Sequence, residues 1–389
     1  MNKKIGCVIA YRKGHNNYGT SLQAYAMLRK IQQLGYQVEV IDYVKQLSLI
    51  QKINFVLNAI RVGEGKEIID RLTASKALKK YPQFAKNLAE RTQAVDGYKR
   101  KKLLPLFHEY VGYKALHSGS LNYDAVIVGS DQVWTPMSLP NKFFNLLFVD
   151  DKVRKIAYAS SFGVSKIPSF QKKATGNYLN RFYKIGVREQ RGKEIVESLS
   201  KKTAQVVADP TLLLTQKEWR EEIQNARPHE TEPYIFCYFL GTNQQARKAV
   251  IKLKEKTKYK IITIRHMDEY VPEDEHFGDE APYFVDPNDF VKYISEATYV
   301  CTDSFHCSVF SIIFHRQFMT FYRFAETSKT GRNSRIDSLF NLLGLQNRLY
   351  TGNIFTIDNQ IDYINVEKQL EHLRNNSLDF LKNSLKDNI

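Results

Sequence analysis

Cysteine is scarce in this chain of 389 residues, and its four copies, Cys7, Cys237, Cys301 and Cys307, never fall in a metal-type C-x-x-C spacing. Cys7 opens the first strand-like run and the other three lie in apolar strand-like or helix-like runs, where free thiols are usually hidden, so a reducing compartment is expected. Long apolar runs are missing too. Nowhere do about 18 apolar residues follow one another, and Met1 to Lys4 lead straight into one short apolar run without a signal pattern. The expected location is therefore the cytoplasm, with peripheral contact at the inner face of the membrane left open.

Other absences narrow the chemistry. The glycine-bearing loop after the first strand has neither G-x-G-x-x-G nor G-x-x-x-x-G-K-[ST], so dinucleotide and P-loop nucleotide binding are unsupported. No metal-ligand cluster appears, and neither a metal nor another cofactor is expected. Acidic residues are few against basic ones, 41 Asp and Glu against 57 Lys and Arg, a net charge of +16. Such a surplus suits phosphorylated small molecules, anionic membrane surfaces or nucleic acid. With no RNA-binding aromatic signature and no helix-turn-helix pattern beside it, nucleic acid is not an expected partner. From Lys45 to Ser120, Lys and Arg outnumber Asp and Glu by more than two to one. A solvated face accounts for the basic residues outside clefts.

What is present is an alternation of strand-like and helix-like segments, the pattern of an α/β protein, in a chain long enough for two domains. Residues 5–11 form an apolar run of strand length. A polar loop, a helix over Ser21–Leu34 ended by Gly35, and the strand V-E-V-I-D-Y follow. A loop at a strand's carboxyl end and a helix's start is where open α/β sheets bind ligands. Asn16, Asn17 and Tyr18, with Gly19 beside them, are either donors to sugar hydroxyls or ordinary turn residues. From about 45 to 113 the pattern becomes basic and helical, with two or three amphipathic helices, as a family-specific insertion or a membrane-facing patch would. Y-D-A-V-I-V-G-S-D then describes a parallel-sheet strand opening into a ligand-facing corner at Ser130 and Asp131. Asp131 is a candidate base for a hydroxyl or a sugar ligand, or a cap for the next turn.

A helix over Pro168–Tyr183 precedes the strand Ile185–Val187. Arg188 follows that strand directly, so its guanidinium should project from the carboxyl end toward a carboxylate or phosphate, unless it pairs with Glu189 or Glu194. The polar stretch Ile223–Pro233 reads as a linker dividing residues 1–222 from 223–389. In the second part, Tyr299–Phe314 reads as a short strand, a corner at Asp303 and Ser304, and a helix with His306 in its first turn. An anion fits such a helix start, although a lone histidine there is also a common packing residue. F-A-E-T-S-K-T-G-R-N-S-R, with Arg332 and Arg335, has the composition of a mobile flap over an anion. A final helix at about 361–385 is placed to pack back on the N-terminal domain.

Seven of these segments, in order, resemble the polysaccharide pyruvyl transferase family. They are N-Y-G-T-S-L-Q-A-Y-A from Asn17, Y-D-A-V-I-V-G-S-D-Q-V-W from Tyr123, Y-A-S-S-F-G from Tyr158 and V-R-E from Val187. A-D-P-T-L-L-L from Ala208, T-D-S-F-H-C from Thr302 and S-R-I-D-S-L-F-N-L-L-G-L from Ser334 complete the set. The resemblance implies two Rossmann-like domains facing a cleft, as in the glycosyltransferases of the B type, with the acceptor on the N-terminal side and the donor on the C-terminal side. It implies phosphoenolpyruvate as donor and co-substrate, and a saccharide acceptor, lipid-linked or not, whose hydroxyl pair becomes a pyruvate ketal on a surface polysaccharide. His306 and Arg188 match the family's donor-site histidine and one of its arginines. Many members carry R-x-H where this chain has Ser304 two residues before His306. The second arm of an anion clamp then falls to Arg332, Arg335 or Arg265, or the donor differs.

Ketal formation requires an acid to protonate the enol carbon, and His306 is the candidate. The donor's negative charge favours its protonated form, while the helix N-terminus opposes it. Arg188 would bind carboxylate or phosphate, and Asp131 would position or deprotonate the acceptor. Two rivals share these features: a nucleotide-sugar-dependent glycosyltransferase on the same architecture, and a basic, non-catalytic protein that binds anions or lipid.

Overall fold

The structure is a computed structural model that describes residues 3–11, 14–46, 49–63, 78–323 and 334–386. The first part of the chain runs β1 (Lys4–Val8), α1 (Tyr18–Gln33), β2 (Gln37–Val44), α2 (Leu49–Arg61), α3 (Pro82–Lys102), β3 (Phe107–Val111) and α4 (Gly112–Gly119). It continues through β4 (Ala125–Val128), β5 (Arg154–Ser160), α5 (Lys172–Asn180), β6 (Lys184–Val187), α6 (Gln190–Leu199), β7 (Gln205–Val206), the single turn α7 (Pro210–Leu213) and α8 (Gln216–Glu222). All seven strands form one parallel sheet in the order β3-β2-β1-β4-β5-β6-β7.

After residues 223–233, which form neither helix nor strand, come β8 (Tyr234–Tyr238), α9 (Gln244–Thr257), β9 (Lys260–Thr263), α10 (Pro287–Glu296), β10 (Tyr299–Thr302) and α11 (Phe305–Ile313). β11 (Gln317–Thr320), α12 (Ser334–Leu343) and α13 (Tyr363–Leu385) follow. Four of these segments make a second parallel sheet, in the order β11-β10-β8-β9. The central strands A-V-I-V, Y-I-F-C-Y and Y-V-C-T are apolar runs because both faces of a parallel sheet are covered by helices.

The two sheets share a core. One hydrophobic cluster includes Ile5 and Leu22 near the first sheet and Phe290, Phe310 and Phe340 near the second. α13 joins this arrangement from the far end of the chain. The Ser377 hydroxyl accepts from the Ala208 amide, Arg374 donates to the Leu212 carbonyl, and Arg154 donates to the Ser384 and Lys386 carbonyls. Two wound parallel sheets joined by an extended segment and crossed by a terminal helix constitute the glycosyltransferase B-type architecture.

Two elements differ from the sequence reading. The basic stretch at 45–113 is not helical throughout, since Phe107–Val111 pairs with β2 as the sheet's edge strand. In F-H-E-Y-V only Tyr110 is buried, so the segment lacks the apolar run that marks an inner strand. α1 begins at Tyr18 rather than Ser21, because Asn17 caps it through a bond from the Thr20 amide at 3.1 Å. The flap residues 324–333, Arg332 among them, lie outside the described residues.

Candidate active site

Each sheet reverses its winding once: between β1 and β4 in the first sheet, and between β8 and β10 in the second. Chains diverge at such a point and leave a crevice at the carboxyl edge of the strands. α1 and the Gly129–Asp131 corner flank the first reversal, and the Asp303–His306 corner follows β10 at the second. The two crevices face each other, and the charged residues meet there.

At the second corner the two polar residues divide the work. The Ser304 hydroxyl caps α11, accepting from the Cys307 amide at 3.5 Å. Asp303 instead accepts from the Leu240 and Gly241 amides at 2.7 and 2.8 Å, so it ties the end of β10 to the end of β8. His306, in the first turn of α11, is thereby fixed, and its ring lies against the backbone of Gly19 in α1. A Cβ at position 19 would land on the ring, so glycine there is what lets the two helix starts approach.

His306 Nε2 lies 3.6 Å from Asp209 Oδ2. Asp209 uses its oxygens separately. Oδ1 caps the short turn α7, accepting from the Thr211 amide and hydroxyl at 3.0 and 2.7 Å. Oδ2 accepts from Arg188 at 2.8 Å and from the Ser130 hydroxyl at 3.4 Å. Arg188 reaches on to Asp131 at 3.2 Å, and Asp131 also accepts from the Thr20 hydroxyl at 3.3 Å. Arg335, at the start of α12, stands 3.7 Å from Asp131. Both guanidinium groups lie over the ring of Phe305, at 5.0 and 5.7 Å from its centre.

Burial and neighbouring charge act against each other here. Burial alone would raise the Asp209 carboxyl, but His306 and Arg188 outweigh it and hold the group far below the usual carboxylate range. Burial also opposes ionisation of Asp131, and Arg188, Arg335 and His306 again bring it down. Glu189 differs, because burial wins and its carboxyl is raised. Burial beside Arg188 lowers Arg335 to about 10, which leaves it a cation at neutral pH. Among the described residues, His306 Nε2, Arg188 Nε, Arg335 Nε and Glu189 Oε2 are all buried without a hydrogen-bond partner. Of the thirteen such side-chain atoms among the described residues, these four lie together in one charged cluster at the carboxyl edges of the two sheets.

The candidates read from the sequence fall into separate groups in the structure. His306, Arg188, Asp131, Ser130 and Arg335 converge. Arg188 forms a structural pair, but with Asp209 and Asp131 and not with Glu189 or Glu194. Ser130 is fully buried and braces Asp209, donating also to the Ala159 carbonyl, so it does not face a ligand. Tyr18 is corrected outright as a sugar ligand. It has no exposed surface, its hydroxyl donates to the Val285 carbonyl at 3.0 Å, and its ring stacks on Phe290 at 4.5 Å. Asn17 spends its side-chain oxygen on the helix cap, and the Asn16 amide donates to Thr92. Arg265 points elsewhere, donating to the Tyr283 hydroxyl and the Glu275 carbonyl.

Asp209, Thr20 and Phe305 join the site without having been singled out, and Glu189, named only as a possible partner of Arg188, joins it as a buried carboxyl. Asp209 had a signal, since an Asp-Pro at the end of a strand belongs at a carboxyl-edge corner. Among the described residues, no group of three or more His, Cys, Asp or Glu side chains is arranged to hold a metal, and no helix is long and apolar enough to cross a membrane.

A cluster of charged side chains thus lies between the carboxyl edges of two parallel sheets in a B-type architecture. The chain belongs to the polysaccharide pyruvyl transferase family, whose model matches residues 17–323. No curated protein sequence matches it. Among solved structures it is similar to the UDP-N-acetylglucosamine 2-epimerase of Neisseria meningitidis at 9% identity and a TM-score of 0.48, covering 99% of this chain and 95% of that one. The corresponding epimerase of Rickettsia bellii gives 9% and 0.48, covering 99% of both chains. The ADP-heptose heptosyltransferase II of Escherichia coli gives 9% and 0.36, covering 96% and 99%.

Proposed function

We propose that the protein transfers pyruvate from phosphoenolpyruvate to a hydroxyl pair on a saccharide, as a ketal, in the synthesis of a surface polysaccharide. The observation that carries this reading is the placement of buried His306 Nε2 3.6 Å from the ionised Asp209 carboxylate, which also binds Arg188.

His306 delivers a proton to the CH₂ carbon of the donor, leaving an oxocarbenium-like centre at the neighbouring carbon. A first acceptor hydroxyl adds there and loses its proton. The bond to the phosphate oxygen then breaks, phosphate leaves with the electron pair, and the second hydroxyl closes the ring and loses its own proton. Of the two hydroxyl protons released, one replaces the proton spent on carbon and the other leaves on phosphate or to solvent.

Arg335 is the arm for the donor's carboxylate or phosphate, because its Nε has no partner and its side chain is 16% exposed against 2% for Arg188. Arg188 acts as a positioning residue that holds Asp131 and Asp209 in place. Asp209, ionised beside His306, steadies the imidazolium before proton transfer. Asp131 is the more exposed carboxylate and the one that orients the acceptor hydroxyl. Its lowered pKa makes it a weak base, which suits a hydroxyl that turns acidic only as it bonds to the cationic carbon.

Incubation with phosphoenolpyruvate and candidate glycans tests this directly. Phosphate release should match an acceptor mass increase of one pyruvate less one water. Release of a nucleotide from a sugar nucleotide, with phosphoenolpyruvate untouched, would instead assign glycosyl transfer.

A further inference from the structure

α2 carries a row of apolar side chains in contact with solvent. Ile53, Val56, Leu57 and Ile60 are 58%, 42%, 51% and 60% exposed. Their spacing of three and four residues puts them on one helical stripe. The opposite face is anchored, with Ala59 fully buried and Asn58 donating to the Pro136 carbonyl and accepting from Gln171. The stripe is therefore held in position facing outward. Phe170, next to Gln171 and 45% exposed, extends the patch, with the Arg61 guanidinium 4.6 Å from its ring centre.

Basic side chains stand beside the described part of the stripe. Lys166, Lys172 and Lys173 are exposed on the segment that docks α2. Residues 49–63, 136–142 and 164–175, which together build this surface, contain no Asp or Glu. These segments follow β2, β4 and β5, so the patch lies on the same carboxyl edge of the first sheet as Asp131 and Arg188.

We propose that this surface docks on an anionic bilayer, with α2 lying in the plane of the interface. The apolar stripe enters the acyl boundary, and Arg61 and the three lysines meet lipid phosphates. A second copy of the chain is a poor occupant, because self-pairing would bring two sets of basic side chains together with no acid in these segments to neutralise them. Docking would turn the mouth of the cleft toward the membrane, where a lipid-linked saccharide is held. The binding itself does not depend on the chemistry proposed above.

Co-sedimentation of the full chain with vesicles tests it. Binding is expected to phosphatidylcholine vesicles that contain a third of phosphatidylglycerol, and not to phosphatidylcholine alone. The double variant Leu57→Glu/Ile60→Glu should weaken it about tenfold or more. Lys172→Gln/Lys173→Gln should weaken it about fivefold per lysine. All four positions are exposed, and circular dichroism checks that the variants keep the fold. Absence of binding, equal binding to neutral vesicles, or binding indifferent to Leu57→Glu/Ile60→Glu would each overturn the proposal. Self-association abolished by that variant, with no vesicle binding, would assign the stripe to a second copy instead.

Discussion

Three successive residues at the start of α1 enter two different regions. Tyr18 enters a packed region in which its ring stacks on Phe290 and its hydroxyl is bonded. Arg91 from α3 lies over the same ring and donates to the carbonyls of Tyr283, Pro282 and Arg265. Gly19 and Thr20, one step further on, meet His306 and Asp131 in a region where four buried polar atoms lack partners. The packed region gains from buried apolar area, aromatic stacking and the three bonds from Arg91. That region contributes to the cohesion of the two halves together with the shared core and α13, while the charged region concentrates ionised groups beside one another.

The strongest way to break this contrast is His306→Ala. Pyruvyl transfer should fall by about 10³-fold or more, and the melting temperature should drop by several degrees as well, because buried Asp209 loses the neighbour that does most to hold it ionised, with circular dichroism checking that the fold is kept. Activity within a few-fold of wild type would remove His306 from the acid role.

Gly19→Ala sharpens the contrast from the other side. The new methyl displaces the imidazole, and a misplacement of about 1 Å costs about 10²-fold in rate. Combined with His306→Ala it should add almost nothing, and a further large loss in the double variant would show that Gly19 acts independently of the ring.

Arg91→Ala tests the packed region. Three carbonyls lose their donor, and stability should fall by about 2–4 kcal/mol in urea unfolding. Activity of the folded fraction should stay within a few-fold.

The smallest effect expected is a pH-dependent one at Glu189. Its carboxyl is raised by burial, so its stabilising contribution is complete below the ordinary Glu value of about 4.3 and is lost as pH rises through the raised folded value. Glu189→Gln should therefore melt about two degrees higher than wild type at pH 8 and show no gain at pH 4. Asp131 and Asp209 act with the opposite sign. Their lowered values stabilise the fold at neutral pH, and that contribution disappears as pH falls below about 4. A gain for Glu189→Gln that is independent of pH would contradict the sign given to its carboxyl.

The Tyr299–Phe314 segment was readable because three local rules agree there: an apolar strand, a capping residue and a helical run. Asp209 was readable as a strand-end corner but not as a partner of His306. An aspartate before proline looks like a helix cap, and one of its oxygens is a cap; only the fold shows that the other faces His306. Tyr18 misled for the converse reason. A tyrosine in a glycine-bearing loop fits a sugar site, and nothing local reveals that Phe290, far along the chain, covers it. Arg188 was placed correctly at its strand end, but its partners come from two other strand ends, and strand order is a long-range property. β3 escaped because an edge strand with one buried side chain carries almost no periodic signal.

α13 has a consequence for how the chain is assembled. Phe380 lies against Gly186, and Ser377, Arg374 and the carbonyls of Ser384 and Lys386 complete hydrogen bonds of the first sheet's half. During synthesis, β5 to β7 emerge long before residues 363–385 exist. The flank of the first sheet's half that α13 covers is therefore completed only after the second half has been made, and folding of the two halves is expected to be coupled.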